Sequence, residues 1–292
     1  MESSTNPYVY QPMINEGYSY QEALQMLRSR GIEVFEGWDD PIYPDSFARI
    51  LFLAEQCGWV MKLVDIDITA YNEYHHRAEY KSRYPSYYPG NLHEKSLEHF
   101  LSLNLLGIRE QDVFVDLASE CSPLTEIVGR FYGCKCYSQD IMYPEGISGN
   151  RIGGDACAMP VYDGFFTKAA LTCSLEHFEG MADCKLFVEL ARVLVPGGRV
   201  CVVPFYLYHR PAVLTDPTYS AIFPVPFDKG ARVIAYEGWR NRHGRIYSPV
   251  SFMERIAKPL ADVFSFEYYL ITNAKDLHPD NYLRYAFVAT RK

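Results

Sequence analysis

Val113-Phe-Val-Asp-Leu-Ala-Ser-Glu-Cys-Ser-Pro123 opens as a short apolar run that stops at a carboxylate, Asp116, before a turn-forming tail. A run of this length and composition reads as a strand buried on both faces. Outward from it the pattern repeats. Apolar runs at 134–140, 152–156, 165–173 and 199–205 alternate with helical segments at 92–106, 124–132, 181–193 and 249–260. Strand and helix in strict alternation predict a parallel sheet with crossover helices. Two β-rich runs, 263–272 and 282–290, close the chain and predict an antiparallel hairpin. The fold expectation is therefore α/β: a Rossmann-like, mainly parallel sheet of seven strands, helices on both faces, an antiparallel C-terminal hairpin and a helical N-terminal region.

Ligands of a doubly wound sheet bind beyond the carboxyl ends of its strands. Residues with chemistry stand there: Asp116 after the first strand, Asp140 after the second, Asp155 after the third, and Cys173-Ser-Leu-Glu-His177 after the fourth. Asp140 lies at the distance from the first strand at which a carboxylate can accept hydrogen bonds from a ribose diol. Taken singly, each Asp is equally a helix cap or a turn former.

The ordered set carries more. Together with Ser138-Gln-Asp-Ile141, Gly154-Asp-Ala156 and Leu190-Ala-Arg-Val-Leu-Val-Pro-Gly-Gly-Arg-Val200, residues 92–290 resemble the class I S-adenosylmethionine-dependent methyltransferases. The Leu-x-Pro-Gly-Gly turn before the fifth strand is the most specific of these. The resemblance implies S-adenosylmethionine as cofactor. It also implies roles by position: Asp116, Ala118 and Ser119 beside the methionine portion, Asp140 on the ribose, Asp155 and Ala156 at the adenine amino group, Met159 on the adenine ring, and Cys173 and Ser174 near the sulfonium. One departure stands out. The family places several glycines after its first strand, whereas residues 116–123 contain none. Any position there that needs positive φ pays a steric cost, and Glu120 adds bulk and negative charge beside the expected cofactor carboxylate.

Methyl transfer to a hydroxyl needs a positioned acceptor and a proton acceptor. His177 is the first candidate base, because an imidazole titrates near neutrality; His209 and Glu176 are alternatives. The insertion 206–247 offers Tyr206, Arg210, Trp239 and Arg240 as a substrate wall, or as ordinary loop packing. Residues 1–88 form a Tyr-rich helical cap, either a packing face or a lid that brings Tyr74, His75, Tyr80 or Tyr88 to the acceptor; residues 89–292 form the methyltransferase-like domain. The expected reaction is O-methylation of a natural-product or sugar-type small molecule.

Net charge −8 offers no cationic field for nucleic acid. No segment has the uninterrupted apolar length of a membrane span and the N-terminus lacks a secretory pattern, so a cytoplasmic protein is expected, compatible with a homo-oligomer. Eight cysteines without Cys-x-x-Cys pairing read as reduced thiols, and no metal site is expected. A nicotinamide enzyme would need Gly-x-Gly-x-x-Gly after the first strand, which residues 116–123 do not supply. The remaining alternative is a non-catalytic protein of the same fold that binds another ligand or a partner protein.

Overall fold

The computed structural model describes residues 17–36 and 45–292. Parts of the expected N-terminal cap, residues 1–16 and 37–44, therefore lie outside the described residues. The N-terminal region runs α1 (Tyr20–Ser29), β1 (Val34–Glu36), α2 (Asp45–Gln56), β2 (Met61–Val64), α3 (Ile68–Ala78) and α4 (Tyr80–Arg83). The expected capping box is present: Ser19 and Glu22 each cap the other's backbone at the start of α1.

Helix α5 (Leu92–Leu106) then leads into the alternating region: β3 (Val113–Leu117), α6 (Leu124–Tyr132), β4 (Lys135–Asp140), β5 (Gly146–Ser148), β6 (Arg151–Gly153), β7 (Phe166–Thr172), α7 (Ala182–Val193) and β8 (Leu194–Val203). The insertion supplies β9 (Ala212–Thr215), α8 (Pro217–Ser220), β10 (Arg232–Ala235) and β11 (Gly244–Ile246). The chain ends with α9 (Pro249–Phe252), β12 (Phe264–Ile271), α10 (Ala274–Leu277) and β13 (Tyr285–Arg291).

The main sheet has the order β2-β12-β13-β8-β7-β3-β4-β6-β5. Strands β6, β4, β3, β7 and β8 are parallel, while β13 runs antiparallel to both β8 and β12. This is the expected Rossmann-like sheet with its reversed C-terminal hairpin, but it has nine strands and not seven. The two additions lie at its edges. Met61–Val64, at the end of an N-terminal stretch read as helical, pairs parallel with β12, and Gly146–Ser148 folds back antiparallel on β6. Three-residue hairpin strands and four-residue edge strands carry too little periodicity to register in sequence. The insertion is more than a loop. Its β9, β10 and β11 join β1 in a second, four-stranded sheet, so the N-terminal region contributes a strand to each sheet.

Alternation along β3 builds both faces of the core. Val115 and Leu117 join Ala169, Leu171, Val200 and Val202 under α7 and α2, while Phe114 joins Ala170, Cys201 and Val203 under α5 and α6. Trp59 stacks on Tyr268 at 3.9 Å on the first face. The Pro196-Gly-Gly198 turn sits inside β8 as an irregularity: the register with β7 jumps from Phe166↔Leu194 to Lys168↔Arg199. Glycine is required there, because Gly197 has φ 78° and a Cβ on Gly198 would lie 2.7 Å from the Val195 carbonyl oxygen. Among the described residues no helix is long and apolar enough to cross a membrane.

Candidate active site

The chain leaves β3 for β4 on one side and later returns to β7 on the other. Such a reversal opens a crevice at the carboxyl ends of the strands, and Asp116 on β3 and Cys173 just past β7 border it. Asp116 is fully buried, and neither carboxylate oxygen has a hydrogen-bond partner. Burial pushes its pKa up to about 7, against a smaller lowering by the nearby Ser122 hydroxyl and with a further rise from Asp140.

The turn that follows adopts a glycine-like path without glycine. Ala118 and Glu120 have φ of 50° and 48°, and across the crevice Cys173 has φ 52°. Left-handed conformation costs an L-residue roughly 1–2 kcal/mol, and it persists only where surrounding structure enforces it. Here the enforcement is visible. The Ala118 N–H donates to Gln139 Oε1 at 3.2 Å, the Ser119 N–H to the Gln139 carbonyl at 3.0 Å, and the Glu120 N–H to Asp140 Oδ2 at 2.7 Å. Gln139 Nε2 in turn donates to the Gly154 carbonyl, which ties the β3 turn to the β6 turn. The Glu120 side chain is drawn to the N-terminal region, where its Oε2 accepts from the Tyr88 hydroxyl at 3.0 Å.

Asp140 also accepts from the Met142 N–H at 2.8 Å, leaving lone pairs on both oxygens for further donors. Asp155 is exposed and caps its own turn through Cys157 N–H. Ala156 and Met159 are buried in the core, and the Met159 N–H donates to Glu189. Ser174 is buried, its Oγ 3.4 Å from the Leu117 carbonyl.

His177 has a defined tautomer. Its Nδ1 meets the His243 carbonyl at 2.8 Å, so Nδ1 carries the proton and Nε2 is the basic nitrogen, 3.7 Å from Glu176 Oε1. Trp239 packs beside the His177 ring at 5.8 Å. Tyr206 reaches the site as well, its hydroxyl 3.3 Å from Cys173 Sγ. Arg210 and Arg240 are exposed, and half-buried His209 lies against the Tyr208 ring at 4.1 Å. Tyr74 and Tyr80 do not face the crevice. They belong to the buried core, where the Tyr74 and Tyr80 hydroxyls are 2.7 Å apart and Tyr80 meets His99 Nδ1 at 2.7 Å.

Sequence reasoning missed Gln139, Tyr143, His99 and the first turns of α5. Tyr143 closes over Ser119 Oγ at 3.1 Å and donates to the Glu120 carbonyl. His99 joins Tyr87, Tyr80 and Ser122 behind the β3 turn, and burial pushes its pKa down to about 3, helped by Lys95. On α5, Glu94, Lys95 and Glu98 are buried, although the sequence around them, Leu92-His-Glu-Lys-Ser-Leu-Glu-His99, is polar and gives no sign of it. His93, His278 and Asp280 bring three ligand atoms within 4.8 Å of one another. The two imidazoles are stacked at 3.8 Å, a geometry that sets their nitrogens side by side and does not aim them at one point.

No family model and no curated protein matches the sequence. Among solved structures, similar folds include 1,6-didemethyltoxoflavin-N1-methyltransferase from Burkholderia thailandensis, solved with 1,6-didemethyltoxoflavin and S-adenosylhomocysteine. It is 15% identical at TM-score 0.46, covering 87% of this chain and 93% of that one. Geranyl diphosphate C-methyltransferase from Streptomyces coelicolor A3(2) is 13% identical at TM-score 0.41, covering 67% and 80%. A methyltransferase of Haloferax volcanii, in complex with its Trm112 activator, is 12% identical at TM-score 0.44, covering 75% and 96%. Seven strands of this chain follow the order β6-β4-β3-β7-β8-β13-β12 with β13 reversed, a mainly parallel Rossmann-like sheet with a reversed strand.

Proposed function

We propose that the protein transfers a methyl group from S-adenosylmethionine to a hydroxyl of a small-molecule acceptor. The observation that carries this reading is the β3 turn: Ala118 and Glu120 hold the left-handed backbone that glycines would supply, and the Glu120 N–H is tied to Asp140. In this reading the turn approaches the cofactor's methionine portion, with the buried Asp116 carboxyl behind it, and the remaining Asp140 lone pairs take the ribose diol. The open lone pairs of Asp140 and the close backbone of the turn suit the cofactor, and Tyr88 fixes the Glu120 carboxylate. Bound there, S-adenosylmethionine supplies an electrophilic methyl carbon.

The chain's own groups position the acceptor and take its proton. His177 Nε2 is the proton acceptor, with Nδ1 anchored on the His243 carbonyl and Glu176 placed to stabilise the charge that develops on the ring. Tyr206 and Trp239 form the acceptor wall from the insertion. Incubation with methyl-labelled S-adenosylmethionine and a set of hydroxylated small molecules tests this. Label should pass to an acceptor hydroxyl, and His177→Asn should lower kcat about 100-fold or more while leaving cofactor affinity intact. Equal turnover by His177→Asn would remove His177 from the chemistry.

A further inference from the structure

The first turns of α5 carry two buried carboxyl groups, Glu94 and Glu98, beside one buried ammonium, Lys95, and the turn after β7 adds a third buried carboxyl, Glu176. Glu94 and Glu98 are fully buried and Glu176 is 6% exposed. Lys95 is already committed, its Nζ 3.1 Å from both oxygens of Glu98. Glu94 spends one oxygen on the Tyr282 N–H at 3.1 Å, and Glu176 Oε1 lies 3.7 Å from His177 Nε2. Their other oxygens, Glu94 Oε1 and Glu176 Oε2, are buried with no hydrogen-bond partner. The same region has aromatic walls: the Tyr206 and Tyr282 rings stand 6.5 Å apart at 23°, and Tyr206 reaches Cys173. Glu98 and Lys95 both influence the Tyr282 hydroxyl, and Glu176 and Glu98 both influence that of Tyr206.

A buried carboxyl oxygen that meets no partner is costly. Burial and the neighbouring Glu98 push the Glu94 pKa up to about 8, and burial pushes that of Glu98 up to about 7 against the pull of Lys95. A cation therefore gains by drawing Glu94 into its ionised form, whereas an anion would drive it further toward the neutral one. Donors brought by a cation also satisfy the unpartnered oxygens, and facing aromatic rings favour a cation further. We propose that the methyl acceptor is a small amino alcohol or amino-sugar type of molecule whose ammonium group docks on Glu94 and Glu176 between Tyr206 and Tyr282. That it is the methyl acceptor rests on the methyl-transfer reading; the charge preference of the site does not.

The experiment is calorimetric titration with two matched sets: glucosamine, glucose and glucuronate, and benzylamine, benzyl alcohol and benzoate. Each is added to wild type, Glu94→Gln and Glu176→Gln, with and without saturating S-adenosylhomocysteine. The amine of at least one set should bind about tenfold more tightly than its neutral partner, the acid should bind weakest, and each Gln variant should erase most of that preference. Glu176→Asp, which keeps the charge, should retain it and controls for folding. Equal or tighter binding of the neutral or acidic member, or no binding by any member at millimolar concentration, would overturn the proposal. So would S-adenosylmethionine outbinding S-adenosylhomocysteine with no amine preference, because the carboxyl surplus would then serve the sulfonium. Failure of S-adenosylhomocysteine to bind counts separately, against methyl transfer, and leaves the cofactor-free titrations to read the charge preference.

Discussion

The Tyr88 hydroxyl donates to Glu120 Oε2 at 3.0 Å, so a residue at the junction of the N-terminal region fixes the acidic side chain of the β3 turn. Burial and the Glu120 carboxylate both push the Tyr88 pKa up, which keeps the hydroxyl a donor across the physiological range. Tyr88→Phe removes that donor, and Glu120 is then free to turn toward the negatively charged end of the cofactor. Affinity for S-adenosylhomocysteine should fall about fivefold, the equivalent of roughly 1 kcal/mol. Tyr88→Phe/Glu120→Gln should recover most of the loss. Unchanged affinity in Tyr88→Phe would mean that Glu120 is held by its backbone alone.

The strained turn makes an opposite prediction for stability. Ala118→Gly and Glu120→Gly relieve a left-handed penalty of roughly 1–2 kcal/mol, offset by about 0.4–1 kcal/mol of extra freedom in the unfolded chain. The relief wins at φ near +50°. Each variant should therefore melt about 1–3 °C higher in a thermal scan. A lower midpoint for both would show that the side chains contribute more to the turn than their strain costs.

Asp116 sets a pH dependence. Its folded pKa is raised to about 7 by burial, above an unfolded carboxylate at roughly 3.9. The folded state then binds more protons between these values, so this contribution to stability is complete below about pH 4 and is lost as pH rises toward 7. Asp116→Asn, permanently neutral, escapes the loss. The stability of Asp116→Asn relative to wild type in urea titrations should rise from pH 4 to pH 7 and level off above. A difference independent of pH would contradict a raised Asp116 pKa.

Asp183 behaves with the opposite sign. It is fully buried, and although burial alone would raise its pKa, Arg255, Arg245 and the Tyr247 hydroxyl hold it low. Its oxygens meet Arg255 at 2.7 and 3.0 Å, Tyr247 at 2.7 Å and Arg245 at 3.2 Å. Arg245 also pairs with Asp228 at 2.6 Å and donates to the Phe178 carbonyl, joining the insertion's small sheet to the turn after β7. Asp183→Asn leaves a buried guanidinium short of its counter-charge and should cost about 3 kcal/mol of unfolding free energy at pH 7. The difference from wild type should vanish as pH falls below about 4 and toward the lowered Asp183 pKa. A loss under 1 kcal/mol, or one that persists in acid, would show that the cluster is not charge-dependent.

Much of this was readable from residues. Runs such as Val113–Leu117 and Phe166–Thr172 are buried on both faces, so apolar composition alone marks them, and Pro196-Gly-Gly198 marks the irregularity inside β8. The edge strands were not readable, since Met61–Val64 exposes Lys62 and Leu63 and reads like the helix before it. At the site, Asp140 and Cys173 stood out because strand ends are where chemistry gathers. Gln139 did not, because its importance lies in a side chain that spans two turns distant in sequence. Glu94, Lys95 and Glu98 lie in the polar first half of a segment that reads only as a helix; tertiary packing alone reveals that all three are buried. The missing glycines of residues 116–123 read as a defect, yet Ala118 and Glu120 adopt positive φ, enforced by hydrogen bonds that residues 118–120 donate to residues 139 and 140.

The central claim is that this turn and Asp140 hold S-adenosylmethionine. Calorimetric titration of S-adenosylmethionine and S-adenosylhomocysteine into wild type and Asp140→Ala tests it most directly. The account predicts micromolar binding of both ligands to wild type, weakened about tenfold or more, near 1.4 kcal/mol, by Asp140→Ala in a protein that remains folded. No heat of binding from either ligand to folded wild type, or equal affinity in Asp140→Ala, would contradict it.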